Sequence, residues 1–170
     1  MTLAAVISSG PGAALYALRD QEYDLVVGLN RGAQAAPCDW WVFFDVKTYL
    51  WYYQAVAGEP QLFTTLTARE KLLARHHELA GRIRIPRGMD FPDPRTVNWT
   101  KWTSCATIVL LKNLGATDVH CYGMDMEGNM DFAGKQQDRR DARRWGSEAA
   151  FMLKALDWAK INFYRMVPKL

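Results

Sequence analysis

Histidine and cysteine are scarce in this chain. Each occurs three times in 170 residues, at His76, His77 and His120 and at Cys38, Cys105 and Cys121. The cysteines are odd in number, scattered, and form no CxxC pair. That excludes a disulfide framework and a zinc ribbon, and predicts buried thiols in a reducing compartment. No apolar run approaches the ~20 residues that cross a bilayer. No basic flank precedes the first apolar stretch, as a secretory signal would require. A cytoplasmic location without a membrane span is therefore expected. Two nucleotide fingerprints are missing as well: neither GxGxxG nor GxxxxGK[ST] occurs. There is no internal repeat, low-complexity tract or obvious linker, and the length suits one domain over 1–170.

What the chain does have is an alternation of short apolar runs with helical patterns. Its 49% hydrophobic and 23% charged residues are those of an ordinary globular protein. Residues 3–7 are apolar and stop at Ser8-Ser9-Gly10-Pro11-Gly12, ahead of a helix start over 13–18. A short apolar run bounded by turn signals predicts a strand buried on both faces. Strand, glycine turn and helix together form the first unit of a doubly wound α/β fold. Further strands are predicted over 23–29, 39–44, 61–65, 82–85 and 118–122, with an edge strand in 161–167. Helices are predicted over 68–79, 103–114 (stopped by Gly115) and 139–161, and Pro92 and Pro94 mark a loop. The expected fold is a single doubly wound, mostly parallel, Rossmann-like sheet flanked by helices.

Strands in this reading end on polar residues: Ser8-Ser9-Gly10, Asn30, Asp45, and Gly123-Met124-Asp125. Ligands of open parallel sheets bind outside the carboxyl ends of the strands, so these groups are expected to line one crevice. The "SSGPG" turn, "VVGLN", "DWWVFFD" and "WTSCATIVLLKNLGATDVHCYGMDM" together carry a resemblance. They resemble the bacterial sialyltransferases with a Rossmann-like nucleotide-sugar domain. They are also similar to the related domain-of-unknown-function proteins that include archaeal hydroxymethylpterin diphosphokinases. The likeness covers roughly 3–134 and is sharpest over 103–125, and the length fits a phage or prophage relative.

The resemblance implies a nucleotide over the strand ends. Ser9, Gly10 and Gly12 would lie against phosphate or ribose, and Asn30 would touch nucleotide or sugar. Asp45, at the polar end of the third strand, is expected at the same crevice, where ligands of open parallel sheets bind. Thr103 and Ser104 would offer hydroxyls and a helix N-terminus, and Gly123 and Asp125 would sit beside the reacting groups. Where the family has a serine after Gly-Pro, this chain has Gly12, and no histidine follows His120. The implied activity is a small transferase that moves a glycosyl or phosphoryl-type group from a nucleotide-activated donor to an acceptor hydroxyl, with Asp125 as base or metal anchor.

The net charge of +3 is uneven: residues 1–60 hold three Lys/Arg against six Asp/Glu, and residues 135–170 hold nine against four. Arg140 and Arg144 lie four apart on one predicted helix face. They read either as a clamp on the donor's phosphates or as a solvated face with Asp138 as its cap. Asp125, Glu127 and Asp131 offer oxygen ligands that suit Mg²⁺, or form a hydrogen-bonded loop. The basic segment keeps a second function class open: a nucleotide- or nucleic-acid-binding accessory protein without catalysis. Oligomeric state is not legible in the sequence.

Overall fold

A computed structural model describes residues 1–87, 89–125 and 142–167. Arg140, Glu127, Asp131 and Asp138 lie outside them. Seven strands form one sheet: β1 (Thr2–Ile7), β2 (Leu25–Leu29), β3 (Trp40–Val42), β4 (Gln61–Phe63), β5 (Ile83–Arg84), β6 (Ala116–Tyr122) and β7 (Asn162–Met166). Five α-helices accompany them among the described residues: α1 (Val46–Tyr52), α2 (Leu66–Leu73), α3 (Pro94–Val97), α4 (Thr103–Asn113) and α5 (Ala142–Ala159). All six strand pairings are parallel, so the sheet is wholly rather than mostly parallel. The strand order is β5-β4-β3-β2-β1-β6-β7.

That order positions the site. From β1 the chain winds outward through β2 to β5, then returns to the other side of β1 for β6 and β7. The direction of winding therefore reverses between β1 and β6, which is where open α/β sheets hold their ligands. The register aligns the strand ends there: Ile7 pairs with both Gly28 and Tyr122, and Val42 with both Leu29 and Phe63. Residues just past these ends emerge side by side.

Alternate residues of each strand feed opposite faces, as the pleat requires. Ala4, Val6, Val27, Leu29, Val42 and Phe63 point to the side covered by α4 and α5. Ala5, Ile7, Trp41, Phe43 and Leu62 point to the other, covered by α1, α2 and 3₁₀ segments. Helix α4 is the most deeply buried element, with every residue from Ser104 to Leu111 inside. This matches a pattern that is apolar nearly all round.

Three expectations need correction. The segment after the glycine turn is a 3₁₀ helix, Pro11–Leu18, not an α-helix. The predicted helix over 68–79 stops at Leu73, and His77–Gly81 continues as 3₁₀. The loop marked by Pro92 and Pro94 contains the single turn α3, with Asp93 as its cap and Pro94 at the first helical position, where a missing N–H costs nothing. Cys105 and Cys121 are buried, as expected, and Cys38 is half-buried. His120 does lie on a strand, hydrogen-bonded at 2.9 Å to the Tyr23 hydroxyl.

Burial leads to a testable pH response. It pushes the Cys105 thiol from 9.0 to about 12, helped by the nearby Glu148 charge, and the Cys38 thiol to about 11. Cys121 is raised as well, again chiefly by burial. A raised acid holds its proton in the folded state while the unfolded chain loses it. Stability is therefore complete below about pH 9 and falls as pH climbs from there toward 11–12. The slope reaches about 1.4 kcal/mol per pH unit for each thiol. Urea titrations at rising pH should show this loss, and a Cys38→Ala/Cys105→Ala variant should show a flatter profile.

Candidate functional site

The site begins with two interlocked turns. After β1 the Ser8 amide donates to the Tyr122 carbonyl at 2.8 Å, and the Gly10 amide to the Gly123 carbonyl at 2.7 Å. Parallel pairing thus continues beyond both strands. Gly123 adopts φ +72°, and a Cβ there would stand 2.7 Å from both the Ala13 nitrogen and the Gly10 oxygen. Only glycine fits such a position. The bend aims the next residues back over β1, so that the Gly12 amide donates to Asp125 Oδ2 at 3.1 Å. Arg165 on β7 fixes the same residue from the other side, its Nη1 donating to the Asp125 carbonyl at 3.0 Å.

Residues 113 positions apart thus touch, and a hollow lies beside them. Ser9, Gly10, Asn30 and Gly123 line it together with Asp125. From the α4 and α5 side come Thr103, Ser104 and Arg144, joined by Lys101, Trp102 and Glu148. The enclosed space is about 70 Å³. It adjoins a wider hollow of about 330 Å³ over the ends of β2 and β3. Ser9, Asn30, Thr103 and Arg144 border both. Asp45 borders the second hollow and also caps α1, accepting from the Lys47 amide at 2.9 Å. Gly12 borders neither among the lining residues and stands behind Asp125.

Asn30 takes the left-handed φ of +51° at the end of β2. Asparagine tolerates that region better than other side-chain-bearing residues. Its carbonyl accepts from Trp41 Nε1 at 2.7 Å, which anchors the bend at a residue that borders both hollows. Helix α4 starts at Trp102, which makes no capping bond. Ser104 Oγ instead donates to Glu148 Oε1 on α5 at 2.5 Å. This is a short charge-assisted bond that joins the two helices at the hollow's wall. Arg144 and Lys101 lie over the Trp102 ring, their charges 5.5 and 4.9 Å from its centroid. Trp102 is buried, and its Nε1 has no acceptor among the described residues.

Two points alter the expected chemistry. The Gly12 amide, expected against phosphate, is taken by a carboxylate. Like charges 4 Å apart repel by about 4 kcal/mol at an effective dielectric of 20, so an ionised Asp125 disfavours a phosphate at that turn. Glu148, four residues after Arg144 on α5, also belongs to the hollow. The i, i+4 spacing of the two residues placed them on one helix face, but nothing local revealed that α4 packs against it. Lys101 and Arg165 carry no sequence signal for the site; Arg165 reaches it across 40 positions, through the Asp125 carbonyl. Among the described residues no group of three or more His, Cys, Asp or Glu could hold a metal ion.

Fold and site together define a Rossmann-like α/β protein with a polar crevice at the reversal of strand order. Among the described residues no helix is long and apolar enough to cross a membrane. Comparison with known proteins adds no family: no family model matches the chain, and no curated protein does.

Proposed function

We propose that this protein binds a nucleotide-activated donor across the two hollows and transfers a glycosyl or phosphoryl-type group to an acceptor hydroxyl. The observation that supports this most is the meeting of Asp125, the Ser104–Glu148 pair and Arg144 at the reversal of strand order. In this reading Asp125 is the general base. The Gly12 amide holds Oδ2, and Oδ1 takes the acceptor's proton as its oxygen attacks. Arg144, on the border between hollows, faces the charge that develops on the departing phosphate. Mg²⁺ enters only as a companion of the donor's phosphates.

Isothermal titration with CMP, UDP, GDP and ATP, with and without Mg²⁺, tests the reading. Saturable binding of at least one nucleotide is expected. Absence of binding to all four at millimolar concentration sinks it. Salt-sensitive DNA binding without nucleotide binding would put a nucleic-acid-binding accessory protein in its place.

A further inference from the structure

The two hollows differ in charge and in surface. The one beside Asp125 carries two carboxylates, Asp125 and Glu148, against Lys101 and Arg144. The one over β2 and β3 carries Arg31, Lys47 and Arg144 against Asp45, whose carboxylate is already engaged by an α1 amide. The second hollow also has aromatic walls, Trp51 and Tyr52 on α1. Trp51 is 68% exposed. Most of the chain's aromatic rings pack into cores, whereas this one stands at a crevice mouth with the Lys47 ammonium 5.8 Å from its centroid. Tyr52 meets it edge-on, at 79° between ring planes, and carries the Arg31 guanidinium 5.4 Å above its own centroid.

We infer that the hollow over β2 and β3 is the nucleotide-base subsite, with the base stacked on Trp51 and the phosphates drawn to Arg31, Lys47 and Arg144. The donor then lies with its planar, anionic half away from Asp125. Its hydroxyl-rich half faces Ser104, Glu148 and Asp125, where carboxylates accept hydroxyl protons but repel phosphate. Aromatic rings interleaved with cations hold a base by stacking and a phosphate by charge, with little dependence on which base it is. Because Arg144 borders both hollows, the bond to be broken falls near it. This assignment rests on the nucleotide-donor reading above.

The test separates the two ideas. Binding of CMP, UMP, GMP and AMP is measured beside ribose 5-phosphate, which has phosphate and sugar but no base. Trp51→Ala is expected to weaken the tightest nucleotide about 5- to 150-fold and to leave ribose 5-phosphate unchanged. Trp51→Phe, which keeps a ring, should recover most of the nucleotide affinity. Lys47→Ala should weaken both kinds of probe together. Unchanged nucleotide binding by Trp51→Ala overturns the subsite while the donor reading stands. Equal loss of nucleotide and ribose 5-phosphate overturns it too, because stacking cannot produce that pattern. Failure of the wild-type chain to bind any nucleotide overturns both ideas.

Discussion

Gly32→Ala is expected to lose about 3 kcal/mol of folding stability, a large share of what a domain of this size has. The 3₁₀ segment Asn30–Gln34 leaves β2 and crosses directly over the end of β1. A Cβ on Gly32 would overlap the Ile7 carbonyl oxygen and approach the Ser8 carbonyl within 2.7 Å. These are backbone atoms of the central strand, tied to β2 and β6 on either side, so they cannot give way as a side-chain end would. The φ of Gly32 is not among the positive ones, which makes the cost steric rather than conformational. Gly146→Ala provides the contrast. A Cβ there meets nothing within 4 Å, and Ala gains about 1 kcal/mol over Gly inside a helix such as α5. Urea unfolding of both variants should move the midpoint in opposite directions at constant slope. Equal stability of Gly32→Ala and wild type would mean that the segment does not cross β1 as described. The same crossing sets Asn30 at the crevice, so Gly32→Ala should also weaken nucleotide binding before it unfolds the chain.

Asp125→Asn is expected to cut transfer about 10²- to 10⁴-fold, the usual worth of a positioned general base. Nucleotide affinity should hold or rise. The amide oxygen of Asn can still accept from the Gly12 N–H, so the turn and the shape of the hollow are kept. The basic oxygen is lost, and with it the negative charge that repels phosphate. Single-turnover transfer measured beside titration of the same variant reads both quantities. Loss of binding in step with turnover would assign Asp125 a structural role at the turn. Unchanged turnover would remove it from the chemistry.

Much of the fold is written locally. Short segments rich in apolar residues point to all seven strands, and the inner strand β1 reads as a continuous apolar stretch because it is buried on both faces. Their ends were blurred: β3 is Trp40–Val42 rather than 39–44, since pairing length depends on the neighbours. Helix α1 carried no recognised signal. Its sequence, VKTYLWY, is aromatic and β-branched, which lowers helix propensity. It forms because Asp45 caps it and Tyr49 packs on Trp41, ring centroids 5.5 Å apart. The capping pattern is present in the sequence, and Asp45 both caps α1 and borders the second hollow. Conversely, the turn Pro11–Leu18 is rich in residues that favour an α-helix, yet tight packing against β6 and the short return to β2 hold it as 3₁₀.

By itself the sequence determined which segments are strands and that their exits are polar, since both follow from neighbours within a few positions. Only the tertiary structure decided that β6 lies beside β1, that Asp125 takes the Gly12 amide, and that Ser104 meets Glu148. The last two of these contacts join residues 113 and 44 positions apart. Strand order and helix docking are settled by the burial of whole faces, a sum over the chain that no local pattern carries.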